Sequence, residues 1–244
     1  IPDHKLQDWP ALVTEIRGKG AQVVILNHPR WPDREKGPFG VSALDPRTGR
    51  FADGLHLTVD AVEVFNSTTP HTPWPEVMQD WFSLLNAGSR IRGVGSSDSH
   101  SVLDPVGQGR TWLRSSTDDP NAADIEEICT AFREGFSSMG IGLFGKLKVQ
   151  GVGPGEVATP EDGALLVEFH IAGASWARAE RAVVYMNGIP VAETTMPAQP
   201  EGKPLVQDVR FRIAAPTHDA WLVCVARGPR PEGPWWYSLF DDLT

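Results

Sequence analysis

Residues 91–100 of this 244-residue chain read IRGVGSSDSH, an apolar segment that runs directly into small and polar residues. Two earlier segments share this design: residues 21–28 read AQVVILNH, and residues 59–66 read VDAVEVFN. Short apolar runs of this kind are typical of buried strands in a parallel sheet. We expect a fourth strand at residues 111–113. Residues 29–57, rich in Pro, Gly, Asp and Arg, form a long irregular connection of the kind that often carries function.

Helical periods separate these strands. Asp8 before Trp9-Pro10 is the expected N-cap of the first helix, and Asp119 before Pro120 is that of the last. Residues 75–85 are expected to form the second helix, between them. Because strands alternate with helices, residues 1–145 are predicted to form a parallel α/β sheet or an α/β barrel. The faces predicted to be buried are Leu12, Val13 and Ile16 in the first helix, Met78, Trp81, Phe82 and Leu85 in the second, and Ile125, Ile128, Cys129 and Phe132 in the last.

The remainder of the chain, residues 146–244, has a different pattern. Asn187-Gly188 is a favoured two-residue hairpin turn, and residues 151–155 (GVGPG) have the composition of a linker. Strands without intervening helices predict an antiparallel, β-sandwich-like domain. The predicted strands are residues 164–171, 182–186, 205–213 and 220–225.

Composition excludes several classes of protein. Lys plus Arg number 22 against 31 Asp plus Glu, and the formal charge of −9 argues against nucleic-acid binding. No apolar run approaches the ~20 residues that cross a bilayer. Cys129 and Cys224 lie far apart and are expected to be buried small apolar residues. Nothing in the sequence indicates a compartment.

The candidate site lies where the predicted strands end. His28 follows the first strand, and Asp98 and His100 follow the third. Carboxyl ends of parallel strands meet at one edge of a sheet, and imidazole with carboxylate suits Zn, Mn or Fe. We therefore expect His28, Asp98 and His100 to be metal ligands. The alternative is that they are unrelated polar loop residues, one of them a helix or turn cap.

These motifs resemble a known family. Asn27-His28-Pro29 and residues 95–100 are similar to the third and fourth metal motifs of the polymerase-and-histidinol-phosphatase (PHP) superfamily. Residues 62–66 (VEVFN) and 109–112 (GRTW) look like its carbaryl-hydrolase branch. The resemblance covers residues 8–145, and the β-rich remainder only loosely. It implies a distorted α/β barrel that binds two or three divalent metal ions at its carboxyl end. It also implies hydrolysis of phosphoesters or, in this branch, of carbamate or amide-like bonds.

The chain departs from the family pattern in one respect. The first PHP motif is a His-x-His pair, and this sequence contains none. About 145 residues are also fewer than the ~250 of a whole α/β barrel. The resemblance therefore implies that this is the later part of the barrel. Either an upstream segment supplies further ligands, which we favour, or the chain is a degenerate relative of the family. We expect weak or incomplete metal occupancy in this chain alone.

The resemblance implies hydrolysis of a small-molecule ester, phosphoester or carbamate by metal-activated water. Glu63 alternates with Val62 and Val64 and points opposite to them, so it is a candidate partner of a ligand histidine. Its alternative is a structural ion pair with an arginine such as Arg92. Arg110 is a candidate contact to an anionic substrate, or else a salt bridge at the barrel rim.

Other polar and aromatic residues receive structural interpretations. Asn66 and Ser67 are expected to shape a loop, and His56 and His71 to be solvated loop residues. Arg30 and Trp31 could line the pocket, although Trp31 could also simply cover the barrel end.

A second hypothesis is a non-catalytic scaffold whose β domain binds a ligand or a partner. The sequence feature behind it is the aromatic content of residues 146–244. Trp235-Trp236-Tyr237, with Trp176 and Trp221, could present flat faces to a ligand, or could pack within or between the domains. A serine hydrolase is disfavoured, because no Gly-x-Ser-x-Gly elbow is present.

Overall fold

A computed structural model describes residues 8–67, 74–102, 104–200 and 202–229 of the chain. Over these residues the protein is a mixed α/β structure dominated by β-sheet. The helices are α1 (Trp9–Gly18), α2 (Pro38–Val41), α3 (Trp74–Asn86) and α4 (Ile125–Glu134), with a 3₁₀ turn at Pro120–Ala122. The strands of the first part are β1 (Ile25–Leu26), β2 (Leu44–Asp45), β3 (Arg50–Phe51), β4 (Ala61–Asn66), β5 (Arg92–Ser96), β6 (Gly109–Leu113) and β7 (Ser137–Ile141). Those that follow are β8 (Leu143–Val149), β9 (Ala164–Gly173), β10 (Arg181–Met186), β11 (Ile189–Thr195), β12 (Leu205–Ala214) and β13 (Leu222–Arg227).

The caps that begin the helices are short polar side chains. The Asp8 carboxylate accepts the Ala11 N–H at 3.0 Å and so begins α1 as predicted. The predicted helix from Asp119 is divided, because Asp119 caps only the 3₁₀ turn and Asp124 caps α4. The prediction that Ile125 faces inward is wrong: as the first residue of α4 it is 66% exposed.

Three strands form the parallel sheet, in the order β1-β4-β5. Leu26 is paired with Val62, and Glu63 with Val94, both in parallel register, as the sequence predicted. β1 has only two residues and is shorter than the predicted strand. The apolar faces of this sheet pack on α3 through a core that includes Val62, Trp81 and Phe82.

The sheet does not close into a barrel within the described residues. Beyond β5, the Thr111 hydroxyl of β6 bonds the main chain of Gly95 at both its N–H (2.9 Å) and its carbonyl (2.8 Å). β6 pairs in an antiparallel ladder with β7, a strand that the sequence pattern did not predict. The first part is therefore an open α/β arrangement with an antiparallel pair at its side.

The second part consists of two antiparallel three-stranded sheets, in the orders β12-β9-β8 and β11-β10-β13. Their inner faces share a core, in which Val167 of β9 lies with Val184 of β10. The predicted Asn187-Gly188 turn is confirmed, and both residues have positive φ, 50° and 83°, as a type I′ turn requires. β8 runs through residues 145 and 146, where the predicted domain boundary lies.

The two parts touch at the end of α3. The Phe82 ring lies 4.8 Å from that of Trp221, and Trp221 Nε1 donates to Asn86 Oδ1 at 2.9 Å. Trp221 therefore packs between the two parts. Trp176 is 51% exposed, and Trp235-Trp236-Tyr237 lies outside the described residues.

Two further sequence expectations concern membranes and thiols. No helix in the described part of the chain has the length and apolar character that a membrane span needs. Cys129 and Cys224 are free and half-buried. Cys224 lies in the core between the two sheets, where burial raises the pKa of its thiol to about 12.

Candidate functional site

Glu63 holds the ends of the three parallel strands together. The side chain lies in β4 and the residue is 2% exposed. Its Oε2 accepts the main-chain N–H of His28 at 2.6 Å, and its Oε1 accepts the hydroxyl of Ser96. Asn66 Nδ2 donates to Oε2 at 3.2 Å. One buried carboxylate therefore bonds the second residue after β1, the end of its own strand and the end of β5.

These contacts bear on the two interpretations of Glu63. The carboxylate binds the peptide group of His28, whereas the sequence interpretation placed it against an imidazole ring. Arg92, the proposed ion-pair partner, donates from Nε to the Arg133 carbonyl at 3.1 Å instead. Burial lowers the pKa of the Arg92 guanidinium. Three neutral donors hold the Glu63 carboxylate.

Asn66 connects Glu63 to Asp98. The same Nδ2 atom that donates to Glu63 also donates to Asp98 Oδ2 at 3.1 Å. Asp98 follows β5 in the left-handed region, at φ 50°, and its side chain is 24% exposed. Its predicted partner His100 lies two residues further along the same loop. The Asp98 side chain is thus joined to the buried end of β4.

Among the described residues, Asp98 contacts the His100 ring. Its Nδ1 lies 2.5 Å from the Asp98 carbonyl oxygen and 3.7 Å from Asp98 Oδ1, and its side chain is 77% exposed. A carbonyl oxygen can only accept, so Nδ1 is the donor in this contact, and in the neutral tautomer that fits it the lone pair lies on Nε2. A ring that donates one N–H to a carbonyl and leaves the other nitrogen unprotonated is the usual state of a metal-binding histidine.

Asp104 shapes the loop that carries His100. Its Oδ2 accepts the main-chain N–H groups of His100 (2.9 Å) and Ser101 (2.8 Å). The hydrogen bond from the His100 N–H is the largest of the effects that lower the pKa of Asp104. Asp104 is a site residue that sequence patterns did not single out, although Asp is a common turn-forming residue.

His28 begins the long connection, with φ 32° and a half-buried side chain. Its ring centroid lies 5.5 Å from that of Trp31, which is 48% exposed. The prediction that Arg30 lines the pocket is wrong, because Arg30 is 8% exposed and its guanidinium binds the buried carboxylate of Asp80 on α3. An acidic residue between Met78 and Trp81, on the buried face of a helix, was the signal for this pair.

The remaining candidates lie around this site. Arg110 is exposed, and its guanidinium carbon is 5.7 Å from the Trp112 ring centroid. Ser67 is fully buried, and its hydroxyl accepts the Gly109 N–H at 2.9 Å. His56 is exposed, and His71 lies outside the described residues.

The donor types at this edge fit a divalent metal better than their arrangement does. The two imidazoles and the carboxylate follow β1 and β5, the two outer strands of the parallel sheet, and these donor types suit Zn, Mn or Fe. Nevertheless, no group of three or more His, Cys, Asp or Glu side chains in the described ranges is arranged to hold an ion. Within the described residues, His28, Asp98 and His100 therefore offer donor types that suit a metal but do not form an assembled set of ligands.

A separate cleft of about 1450 Å³ lies between the two parts of the chain. Its walls are mostly apolar side chains of α3, β7, β8 and β13, and none of His28, Asp98 and His100 lines it. Four arginines also lie along it: Arg90, Arg92, Arg178 and Arg227.

Comparisons of the chain with protein-family models, with curated proteins and with solved structures gave no match. The functional interpretation therefore rests on the residues and contacts described above.

Proposed function

We propose that this chain forms the later part of a PHP-like α/β barrel, with an appended β-sandwich-like domain, in a metal-dependent hydrolase. The observation that carries the proposal is the Glu63 contact set, which joins His28, Asn66 and Ser96 at one edge of a parallel sheet. Active sites of parallel α/β proteins lie at this edge. The substrate class is a small-molecule phosphoester, ester, carbamate or amide.

Each residue has a definite part in the proposed reaction. His28, Asp98 and His100 would hold divalent Zn, Mn or Fe, with further ligands from outside the described set. A metal bound there lowers the pKa of a water molecule and polarises the bond to be cleaved. Glu63 and Asn66 orient the ligand-bearing loops, and Arg110 offers its guanidinium to an anionic or carbonyl oxygen of the substrate.

Metal titration combined with a hydrolysis screen tests the proposal. The chain is freed of metal, titrated calorimetrically with Mn²⁺ and Zn²⁺, and assayed on aryl phosphomonoesters, phosphodiesters, esters and carbamates. We expect weak but saturable binding that Asp98→Asn and His100→Gln each reduce at least tenfold. The matched control is His170→Gln, since His170 lies in β9 and pairs with Asp208. Absence of binding, or equal binding by Asp98→Asn, would contradict the proposal.

The cleft between the two parts favours a second candidate function. A mostly apolar cleft lined by four arginines and two acidic residues, Glu156 and Asp219, has an excess of positive charge that suits a ligand with apolar and anionic groups. In this alternative the α/β part is a scaffold without catalytic activity. Ligand-dependent thermal stabilisation that Asp98→Asn leaves unchanged, with no metal binding by the wild-type chain, would favour it.

A further inference from the structure

We propose that Asn66 is the positioning residue that orients the Asp98 carboxylate, by anchoring it to the buried Glu63. This inference rests on the proposed metal site, because its consequence is the placing of one metal ligand. It concerns a residue for which the sequence indicated only a role in loop shape.

The geometry of the Asn66 amide is the first argument. Its nitrogen lies 3.2 Å from Glu63 Oε2 and 3.1 Å from Asp98 Oδ2. A side-chain amide has two N–H groups, and carboxylate oxygens only accept, so one N–H serves each carboxylate. This pattern also assigns the nitrogen, rather than the oxygen, to the position between the two carboxylates.

The rigidity of Glu63 is the second argument. Its carboxylate is buried and also bonds the His28 N–H and the Ser96 hydroxyl. A side chain with three donors and almost no exposure is fixed within the sheet. Asn66 therefore transmits the position of a rigid strand to Asp98, which lies in a loop at positive φ.

The residue type is the third argument. Aspartate at position 66 has no N–H to donate, and serine has a single O–H, so neither can bond both carboxylates. An asparagine at the end of β4 supplies two donors from one atom. The other oxygen of the same carboxylate, Asp98 Oδ1, lies 3.7 Å from His100 Nδ1. The hydrogen bond from Asn66 therefore also orients Asp98 relative to His100.

Calorimetric titration with Mn²⁺ alone tests this role. We expect Asn66→Ala to weaken Mn²⁺ binding by about 10- to 100-fold, the usual effect of removing a group that orients a ligand. Asn66→Asp keeps the size of the side chain and removes both donors, so it should lose a similar factor. Circular dichroism and thermal unfolding are recorded for each variant.

Two matched controls separate positioning from general disturbance. Asn121→Ala removes an exposed asparagine whose amide donates to Asp119 at 3.1 Å in the 3₁₀ turn, and we expect less than a threefold change in Mn²⁺ affinity. Ser96→Ala removes one donor to Glu63 but leaves the Asn66–Asp98 bond in place, so its effect should be smaller than that of Asn66→Ala.

The outcomes distinguish this inference from the proposed function. If the wild-type chain binds Mn²⁺ and both Asn66 variants bind equally well, the positioning role is overturned and the hydrolase proposal stands. If the wild-type chain does not bind, both fall together. Loss of the folded state in both variants would also overturn the role, because Asn66 would then be a structural residue. Weaker binding by folded Asn66 variants supports it.

Discussion

Arg30 and Asp80 form a buried ion pair with two hydrogen bonds, Nε to Oδ2 at 2.8 Å and Nη2 to Oδ1 at 2.9 Å. The side chains are 9% and 1% exposed. Burial raises the pKa of the Asp80 carboxyl, and the hydrogen bond and charge of Arg30 oppose it. Burial also lowers the pKa of Arg30, but pairing with Asp80 outweighs this and the pKa is raised. This ion pair joins the connection that follows His28 to α3.

Removing one partner of this pair should strongly destabilise the protein. We expect Asp80→Ala to lower the free energy of unfolding by about 3–5 kcal/mol, because it leaves the Arg30 guanidinium buried without the carboxylate to which it is hydrogen-bonded. Urea unfolding followed by tryptophan fluorescence measures the change. Glu193→Ala, which breaks the solvent-exposed pair with Arg181, is the control and should change the urea midpoint little. Equal midpoints for the two variants would show that the buried pair contributes nothing.

Gly109 should not tolerate a side chain. A Cβ at this position would lie 2.2 Å from the Ser96 carbonyl oxygen, which is main chain and cannot rotate away. We expect Gly109→Ala to destabilise the protein by about 1–3 kcal/mol and to displace the end of β5. The control is Gly153→Ala, whose Cβ would meet only the mobile end of Glu156, at 3.2 Å. Urea unfolding of both variants decides, and equal stabilities would contradict the expectation.

Gly188 is required by backbone conformation and not by space. Its φ is 83°, while a Cβ there would make ordinary contacts with Phe82 (3.7 Å) and Asn86 (3.8 Å). Gly188→Ala should therefore cost about 1–2 kcal/mol, the penalty for an L-residue in the left-handed region. Gly18→Ala, at the end of α1 with nothing within 4 Å, is the control and should be neutral or stabilising. Thermal unfolding measures both variants. If Gly188→Ala is as stable as the wild type, the type I′ assignment is refuted.

Cys224 should contribute to stability in a pH-dependent way. Its thiol has a pKa raised by burial from 9.0 to about 12, so the folded chain keeps this proton where the unfolded chain has lost it. The stabilising contribution is complete below pH 9 and is lost as pH rises through about 12. Relative to Cys224→Ala, wild-type stability should therefore fall across this window in urea unfolding series. A constant difference would contradict the assignment.

Short-range signals were sufficient for the local structure. Asp8 begins α1, and Asn187-Gly188 forms the turn between β10 and β11, because each feature depends on atoms within a few residues. The limits of such signals appear at β7, whose residues SSMGI lack a clear alternation and form a strand only because β6 supplies partners. Ile125 shows the same limit. Periodicity assigns a residue to one face of a helix, but it does not say whether other residues lie close enough to cover that position.

In the candidate site, too, local sequence patterns predicted part of the arrangement and long-range contacts decided the rest. Polar residues within or after apolar strands, Glu63 in the second strand and His28 and Asp98 after the first and third, were expected at one edge of a parallel sheet, and the structure has the strands in that arrangement. The sequence did not indicate that Asn66 would lie between two carboxylates, because Asp98 is 32 residues away. The pairing of Arg30 with Asp80, 50 residues apart, likewise could not be seen in the sequence.

By itself, therefore, the sequence determined the elements with strong local patterns, the change from α/β to antiparallel β, and the residues at the strand ends. Hydrophobic period, capping and turn chemistry act over a few residues and can be read directly. The tertiary structure alone decided that Glu63 binds a peptide group and that Arg30 is buried. Both outcomes depend on which distant donors and acceptors meet out of water, where an unpaired polar group is costly.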